Sequence, residues 1–231
     1  DSLVRAFRGL QPDVVFNFTP KCNIYGTLAA RALGIPCINT ITGVGYLFGR
    51  KSAAARILPI LYQITQPRAS LVFFQNEQDR RLFLSSGFVE PGRARRLMGS
   101  GVPLSRFRFA PRPADGTVRC LFVGRLRSLK GVRVFVDAAR MLAAESSIYS
   151  FAILGPHDLA SPDSIDPEDL KTWVSQGIVE YLGFTDRVET VLPEYDVVVF
   201  PSLYGEGMPR TLMEAAAMGK IGVTSDTPGC R

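Results

Sequence analysis

The sequence predicts an α/β fold made of doubly wound parallel sheets. Short apolar strand patterns alternate with helical patterns along nearly all of the 231 residues. Apolar residues make up 46% of the chain, which is enough to bury the cores of one or two domains. A proline- and glycine-rich stretch near the middle separates two such alternating regions.

The first region begins with residues typical of a helix interior and continues as alternating strands and helices. Gly34 and Pro36 end the first complete helix, and Asn76 is an N-cap residue for a later one. Strands are predicted over residues 13–18, 37–40, 71–75 and 95–98, and helices over residues 24–33, 53–66 and 77–86.

The second region restarts the same alternation after a predicted linker at residues 111–117. Residues 1–110 are therefore expected to form one partial domain and residues 118–231 another. Asp166 followed by Pro167 indicates a helix start. The remaining predictions are strands over residues 118–123, 150–154, 178–182, 196–200 and 220–224, and a helix over residues 131–144.

Two carboxylates, Glu206 and Glu214, flank a predicted helix start after the strand at 196–200. Pro209 suits the first helical position, and Gly219 suits the C-terminal cap. The free N–H groups of residues 210–212 would then form an anion site at the positive end of the helix dipole. A phosphate flanked by hydroxyl-bearing rings fits this pattern, and a nucleotide sugar is such a ligand.

This pattern resembles the Glu-x7-Glu motif of family-4 retaining glycosyltransferases of the GT-B fold. Residues 121–126, followed by Lys130 and Gly131, are similar to the donor-diphosphate loop of that family, and residues 74–79, 99–102 and 227–231 resemble further landmarks. Residues 39–48 resemble a subgroup acting in capsule, O-antigen or lipid-linked glycan assembly.

The resemblance implies two Rossmann-like domains that face a cleft, the first of them partial here. It also implies retaining transfer of a sugar to a lipid-linked saccharide. The expected donor is a UDP-linked N-acetylhexosamine or hexose, and no metal ion or other cofactor is expected. Because the family's first domain begins with a strand and a glycine-rich loop, and its second continues into further helices, the sequence is expected to lack both ends.

The resemblance also assigns roles to individual residues. Glu206, Arg125 and Lys130 are expected to be catalytic: Glu206 contacts hydroxyls of the transferred sugar, and the two cations stabilise the charge that develops on the departing diphosphate. Glu214 is expected to bind the ribose. Further donor contacts are expected from Gly124, Gly207, Met208, Thr211 and Leu212, and acceptor-side contacts from Lys21, Asn23, Thr42 and Gly43. The alternative for each charged residue is an ordinary solvated surface side chain.

The net charge of +6 is unevenly distributed. Residues 1–116 contain 16 basic and 6 acidic residues, a net of +10, whereas residues 117–231 contain 11 and 15, a net of −4. A basic first half suggests contact with an anionic membrane surface, although an Arg-rich solvated surface is the alternative. Nucleic acid is not expected, because the stacking aromatics and basic motif of such modules are missing.

The apolar run at residues 57–62 is too short to span a bilayer, and four scattered cysteines indicate no disulfide framework. We therefore expect a cytoplasmic protein, peripherally associated with the inner or plasma membrane. Two other functions stay open: a GT-B-fold sugar-nucleotide epimerase, and a non-catalytic nucleotide-binding fragment of the fold. Walker, zinc, serine-nucleophile and dinucleotide motifs are missing from the sequence.

Overall fold

Two parallel sheets organise the residues that the computed structural model describes, which are 1–44 and 53–231. One unit of the fold comprises Asp1–Ser100 together with the short segment Gly205–Met208. The other comprises Gly101–Tyr204 and Pro209–Arg231. Residues 101–117, which include the stretch predicted as a linker, therefore belong to the second unit.

The first unit has a sheet with strand order β1-β2-β3-β4, all parallel. Parallel neighbours require crossover connections, and helices supply most of them. Its elements are α1 (Ser2–Leu10), β1 (Val15–Phe18), α2 (Thr19–Ala32), β2 (Cys37–Ile41), α3 (Ala53–Thr65), β3 (Leu71–Phe74), α4 (Glu77–Ser85) and β4 (Ala94–Arg96).

Aromatic rings form the centre of the first core. The Phe83 ring centroid lies 4.9 Å from that of Tyr62, 5.1 Å from that of Phe74 and 5.4 Å from that of Phe88. These tilted and edge-on contacts join α3 and α4 to β3 and to the turn after α4. The end of β3 is therefore held by well-packed neighbours.

The second unit has strand order β7-β6-β5-β8-β9, so the direction of winding reverses between β5 and β8. Phe122 of β5 packs in one apolar cluster with Phe135, whereas Leu121 packs in another with Ala215. Both faces of this sheet are thus covered, as parallel sheets require. Its elements are β5 (Val118–Val123), α5 (Val132–Glu145), β6 (Tyr149–Leu154), α6 (Pro167–Ser175), β7 (Glu180–Tyr181), β8 (Val197–Phe200), α7 (Arg210–Ala217) and β9 (Ile221–Thr224).

Both predicted N-caps are confirmed. The Asn76 side chain accepts a hydrogen bond from the Asp79 N–H at 2.7 Å, and Asp166 accepts one from the Glu168 N–H at 2.9 Å. The helix predicted over residues 24–33 begins earlier, at Thr19, because Pro20 is tolerated in a first turn where its N–H is not needed. The strand predicted over residues 178–182 is shortened to β7.

The apolar and basic segment 46–51 and the end of the subgroup segment 39–48 lie outside the described residues. None of the helices that the structure describes is long and apolar enough to cross a bilayer. All four cysteines are unpaired; Cys37, Cys120 and Cys230 are buried, whereas Cys22 is exposed.

Candidate functional site

The predicted diphosphate loop lies at the topological switch point of the second sheet. Open α/β sheets bind ligands beyond the carboxyl ends of the strands where the winding direction reverses. In this sheet those strands are β5 and β8. The loop after β5 contains Gly124, Arg125 and Lys130, and the loop after β8 begins at Pro201. The sequence-predicted residues therefore lie where the topology predicts a ligand.

The loops after β5 and β8 are packed directly against each other. The Leu203 N–H donates a hydrogen bond to the Leu129 carbonyl at 3.0 Å. Gly131 has φ +83, and a Cβ added there would lie 2.0 Å from the Pro201 carbonyl oxygen. Only glycine permits this approach, so Gly131 fixes the position of the preceding turn that carries Lys130.

Lys130 lies against two aromatic rings of the β8 side. Its Nζ is 5.0 Å from the ring centroid of Tyr204 and 5.4 Å from that of Phe200. At these distances the rings attract the ammonium through cation–π interactions. Sequence reasoning did not identify Phe200 or Tyr204 as site residues, because their contact with Lys130 depends on the pairing of β5 with β8.

Arg125 is exposed, and its guanidinium extends toward the loop after β6. Its Nη1 lies 3.6 Å from Asp158 Oδ2, and 56% of the side chain is accessible. Gly124 belongs to the same loop–loop contact, since a Cβ on Gly155 would lie 1.8 Å from the Gly124 carbonyl oxygen. An exposed ion pair of this kind is weak and exchangeable, so it leaves Arg125 able to turn to a bound anion.

The N-terminus of α7 has no side-chain cap. Pro209 is the N-cap residue, so its predicted placement at the first helical position is wrong by one residue. The expected free N–H of Leu212 is also wrong, because it donates to the Pro209 carbonyl at 3.2 Å. The first two N–H groups, those of Arg210 and Thr211, have no acceptor among the described residues. An anion site here therefore has two free N–H donors rather than the three that were predicted.

Glu214 is buried on α7 and paired within its own helix. Its Oε1 lies 2.8 Å from Nε of Arg210, one turn earlier. Burial raises the pKa of the Glu214 carboxyl, and the Arg210 partner opposes that rise. A buried carboxylate with a fixed partner is a good acceptor for ligand hydroxyls, because little side-chain entropy remains to be lost.

Glu206, Gly207 and Met208 belong to the first unit, where they lie beyond the carboxyl ends of β2 and β3. Asn76 Nδ2 donates to the Glu206 carbonyl at 2.9 Å, and the Met208 N–H donates to Gln75 Oε1 at 3.3 Å. The two carboxylates of the sequence motif are thus assigned to different units. Gln75 and Asn76 were not predicted as site residues, although their place directly after β3 is a usual one for ligand-side groups.

The four predicted acceptor-side residues have different environments. Lys21 is exposed in the first turn of α2, whereas Asn23 is completely buried and donates to the Thr40 carbonyl at 2.9 Å. Thr42 and Gly43 follow β2 and contact Gly207: a Cβ on Gly43 would lie 2.7 Å from the Gly207 nitrogen. The structure therefore joins Gly43 and Gly207, which the sequence had assigned to acceptor and donor sides. Asn23, which was predicted to contact the acceptor, is instead buried in the interior.

Comparison with known proteins identifies relatives of the sequence and of the fold. Residues 117–231 match a family model described as glycosyl transferases group 1. Over 99% of its length the chain is 27% identical to the N,N'-diacetylbacillosaminyl-diphospho-undecaprenol alpha-1,3-N-acetylgalactosaminyltransferase of Campylobacter jejuni, covering 62% of that protein. Over 99% of its length it is also 24% identical to the Escherichia coli UDP-Gal:alpha-D-GlcNAc-diphosphoundecaprenol alpha-1,3-galactosyltransferase, covering 61% of it. The chain thus spans about three fifths of the length of these relatives.

The fold also matches solved structures. The crystal structure of Anabaena HepE in complex with UDP-glucose matches 99% of this chain and 63% of that one, with a TM-score of 0.78 and 18% sequence identity. This likeness confirms the predicted architecture. The chain has the GT-B fold, and through residues 117–231 it belongs to the group 1 glycosyl transferases.

Proposed function

We propose that this protein is a retaining glycosyltransferase that uses a nucleotide-diphosphate sugar, with UDP as the nucleotide. The observation that carries the proposal is that Lys130, Arg125 and the uncapped start of α7 all lie in the segments that follow β5 and β8 at the switch point of the second sheet. Two cations and two open N–H groups are what a departing diphosphate requires for charge stabilisation. The relatives' names, which include a UDP-galactose-dependent transferase, support the choice of nucleotide.

The remaining donor contacts are proposed mainly for residues on either side of Pro209. Buried Glu214 accepts hydrogen bonds from the ribose hydroxyls, and Glu206 accepts them from hydroxyls of the transferred sugar. Further donor contacts are proposed for residues of this segment, namely Gly207, Met208, Thr211 and Leu212, and for Gly124 in the loop after β5. Two cations, Arg125 and Lys130, neutralise the leaving group, so the chemistry proposed here needs no metal ion.

The acceptor is proposed to be a saccharide linked to a polyprenyl diphosphate. Both aligned relatives are named for acceptors carried on undecaprenyl diphosphate, and the alignments cover 99% of this chain. Exposed Lys21 and the backbone at Thr42 and Gly43 are the acceptor-side groups. Because the relatives are transferases, the epimerase alternative is not favoured.

A water-facing apolar stripe on α3 supports peripheral membrane contact. Ile57, Ile60 and Ile64 are 52%, 55% and 42% exposed, at a spacing that places them on one helix face. Arg56 is exposed beside them, and the first half of the chain carries a net +10. Such a face binds anionic lipid headgroups and buries its apolar residues at the interface. This would place the protein on the cytoplasmic side of the inner or plasma membrane.

A titration of thermal stability with UDP, GDP, ADP and a panel of UDP-sugars tests the donor site. A ligand at 100 times its Kd stabilises the folded state by about 2.7 kcal/mol, which raises the Tm by several degrees. We expect stabilisation by UDP and one UDP-sugar, and its loss in Glu214→Ala. Stabilisation by no nucleotide would contradict the proposal.

Sedimentation with vesicles tests the membrane contact. We expect binding to vesicles containing anionic lipid, weaker binding to zwitterionic ones, and loss of binding when Ile57, Ile60 and Ile64 are changed to serine. Ile148→Ser, at another exposed isoleucine, is the control. Equal binding by the triple variant would show that the basic surface acts without α3.

A further inference from the structure

The backbone of Gly205–Met208 is packed against the loop after β2 with no side chain between them. A Cβ on Gly43 would lie 2.7 Å from the Gly207 nitrogen, and a Cβ on Gly207 would lie 2.5 Å from the Thr42 carbonyl carbon. Both distances are far below those of real contacts, so two glycines are needed for this approach. The main chain next to Glu206 is therefore held in direct contact with the loop after β2.

Two buried amide side chains fix the same segment by hydrogen bonds. Asn76 Nδ2 donates to the carbonyls of Glu206 at 2.9 Å and Gly207 at 3.3 Å. Gln75 Oε1 accepts from the Met208 N–H at 3.3 Å. Gln75 is 5% exposed and Asn76 is 7% exposed, so water competes poorly for these bonds. Consecutive peptide groups around Glu206 are thus oriented by consecutive residues after β3.

The orientation of Asn76 is itself fixed. Its Oδ1 caps α4 by accepting from the Asp79 N–H, so its amide nitrogen must face the other way. The same Nδ2 lies 2.9 Å from Asp79 Oδ2, and that carboxylate oxygen accepts from the Val44 N–H at 3.2 Å. One carboxylate therefore ties the loop after β2 to the residue that holds Glu206.

We propose that Gln75 and Asn76 are positioning residues for the sugar-recognising carboxylate of Glu206. They hold the main chain on both sides of that residue, so that its carboxylate is preorganised toward the hydroxyls of the transferred sugar. This inference rests on the proposed function, and it has a specific consequence. Losing either side chain weakens recognition of the sugar part of the donor and leaves recognition of the nucleotide unchanged.

Matched substitutions separate this role from helix capping. Asn76→Ser keeps an N-cap oxygen but removes the amide donor, whereas Asn76→Ala removes both. Gln75→Leu removes the acceptor oxygen that Gln75→Glu retains. Gln78→Leu, on the exposed side of the same helix, is the control. Tm values of all variants show whether the fold is kept.

The measurement is the Kd of each variant for UDP and for the UDP-sugar that the wild-type protein prefers. We expect Asn76→Ser and Gln75→Leu each to weaken UDP-sugar binding about three- to tenfold, with UDP binding and Tm near wild type. Gln75→Glu should restore most of the UDP-sugar affinity. Gln78→Leu should match wild type for both ligands.

Three outcomes would overturn the proposal. Binding of UDP and of the UDP-sugar could weaken equally in Asn76→Ser and Gln75→Leu. Alternatively, both variants could fold correctly and bind both ligands as tightly as the wild-type protein does. Wild-type protein could also bind UDP with no gain from the attached sugar, in which case the nucleotide site would stand and the positioning role would fall. Binding of neither UDP nor any UDP-sugar by wild type would instead refute the proposed function, and this inference with it.

Discussion

Helices α6 and α7 lie in the same unit and have nearly equal lengths, but their N-termini are built differently. α6 begins with Asp166, whose side chain accepts from the Glu168 N–H, and it has Glu168 and Asp169 in its first turn. α7 begins with Pro209, has no side-chain cap and has no acidic residue in its first turn. The N-cap side chain of α6 accepts a hydrogen bond from the first turn, whereas α7 has no such side-chain acceptor.

The difference follows the sheet topology. α5 also has no side-chain cap, because its N-cap is Gly131, and α5 and α7 are the helices that follow β5 and β8 at the switch point. α6, which follows β6, is capped. A cap made by a side chain occupies the donors that an anion would use. Among α5, α6 and α7, the uncapped starts are therefore those of the two helices that follow the switch-point strands, where free N–H donors suit a phosphate.

The largest expected effect comes from removing the two cations of the loop after β5. Arg125→Ala and Lys130→Ala should each lower kcat/KM roughly 30- to 1,000-fold, since losing one group aimed at developing charge costs about 2–4 kcal/mol. Steady-state turnover of the preferred UDP-sugar checks this. Arg140→Ala, at an exposed position late in α5, is the control. Normal turnover by the double variant would refute the diphosphate assignment.

Giving α7 a charged cap should convert it toward the α6 type. Pro209→Asp would bind the open N–H groups of α7 and place a negative charge at the diphosphate position. We expect UDP affinity to fall at least about tenfold relative to Pro209→Ala, which loses the ring without adding a cap. Calorimetric titration of both variants with UDP checks this. Equal affinities would mean that phosphate does not bind at the start of α7.

Removing the cap of α6 should affect the stability of the protein rather than its affinity for UDP. Asp166→Ala should lower the free energy of unfolding by about 1 kcal/mol and leave UDP affinity unchanged. Urea unfolding and UDP titration of the same preparation measure both quantities. A variant that lost UDP affinity without losing stability would show that the contrast between the two helices has no functional meaning.

The aromatic partners of Lys130 should contribute a smaller amount. Tyr204→Leu removes the ring 5.0 Å from the ammonium, whereas Tyr204→Phe keeps it. Loss of a cation–π contact worth about 0.5–1 kcal/mol should weaken UDP binding two- to fivefold in the leucine variant only. The loss should vanish in a Lys130→Gln background. If it persists there, Tyr204 acts on the site through another residue.

The smallest expected effect is a pH dependence at Glu214 of α7. Its pKa is raised in the folded state from an ordinary value of 4.5, chiefly by burial. The folded protein then holds this proton to a higher pH than the unfolded chain does, so this residue's contribution to stability declines as pH rises through that window. Glu214→Gln should remove the decline. Urea unfolding between pH 4 and 6 checks the sign, and an unchanged slope in the variant would contradict it.

Residues whose partners are close in sequence were predicted well. The caps Asn76 and Asp166 depend on hydrogen bonds within a few residues of each other, and Gly219 lies one residue beyond its predicted place, directly after the C-cap Met218 of α7. The error at Pro209 arises because a proline fits both the N-cap and the first helical position without needing its N–H. Sequence alone does not separate those two placements.

The sequence by itself determined the α/β class, most helices and strands, and the side-chain caps of α4 and α6, because apolar periodicity and capping act over a few residues. Only the tertiary structure decided that Lys130 lies between Phe200 and Tyr204, that Gly43 meets Gly207, and that Asn76 holds the carbonyl of Glu206. These contacts join loops that follow different strands. The contact of Lys130 depends on the order of strands in the second sheet, and that order is fixed by packing of the whole unit rather than by any local pattern.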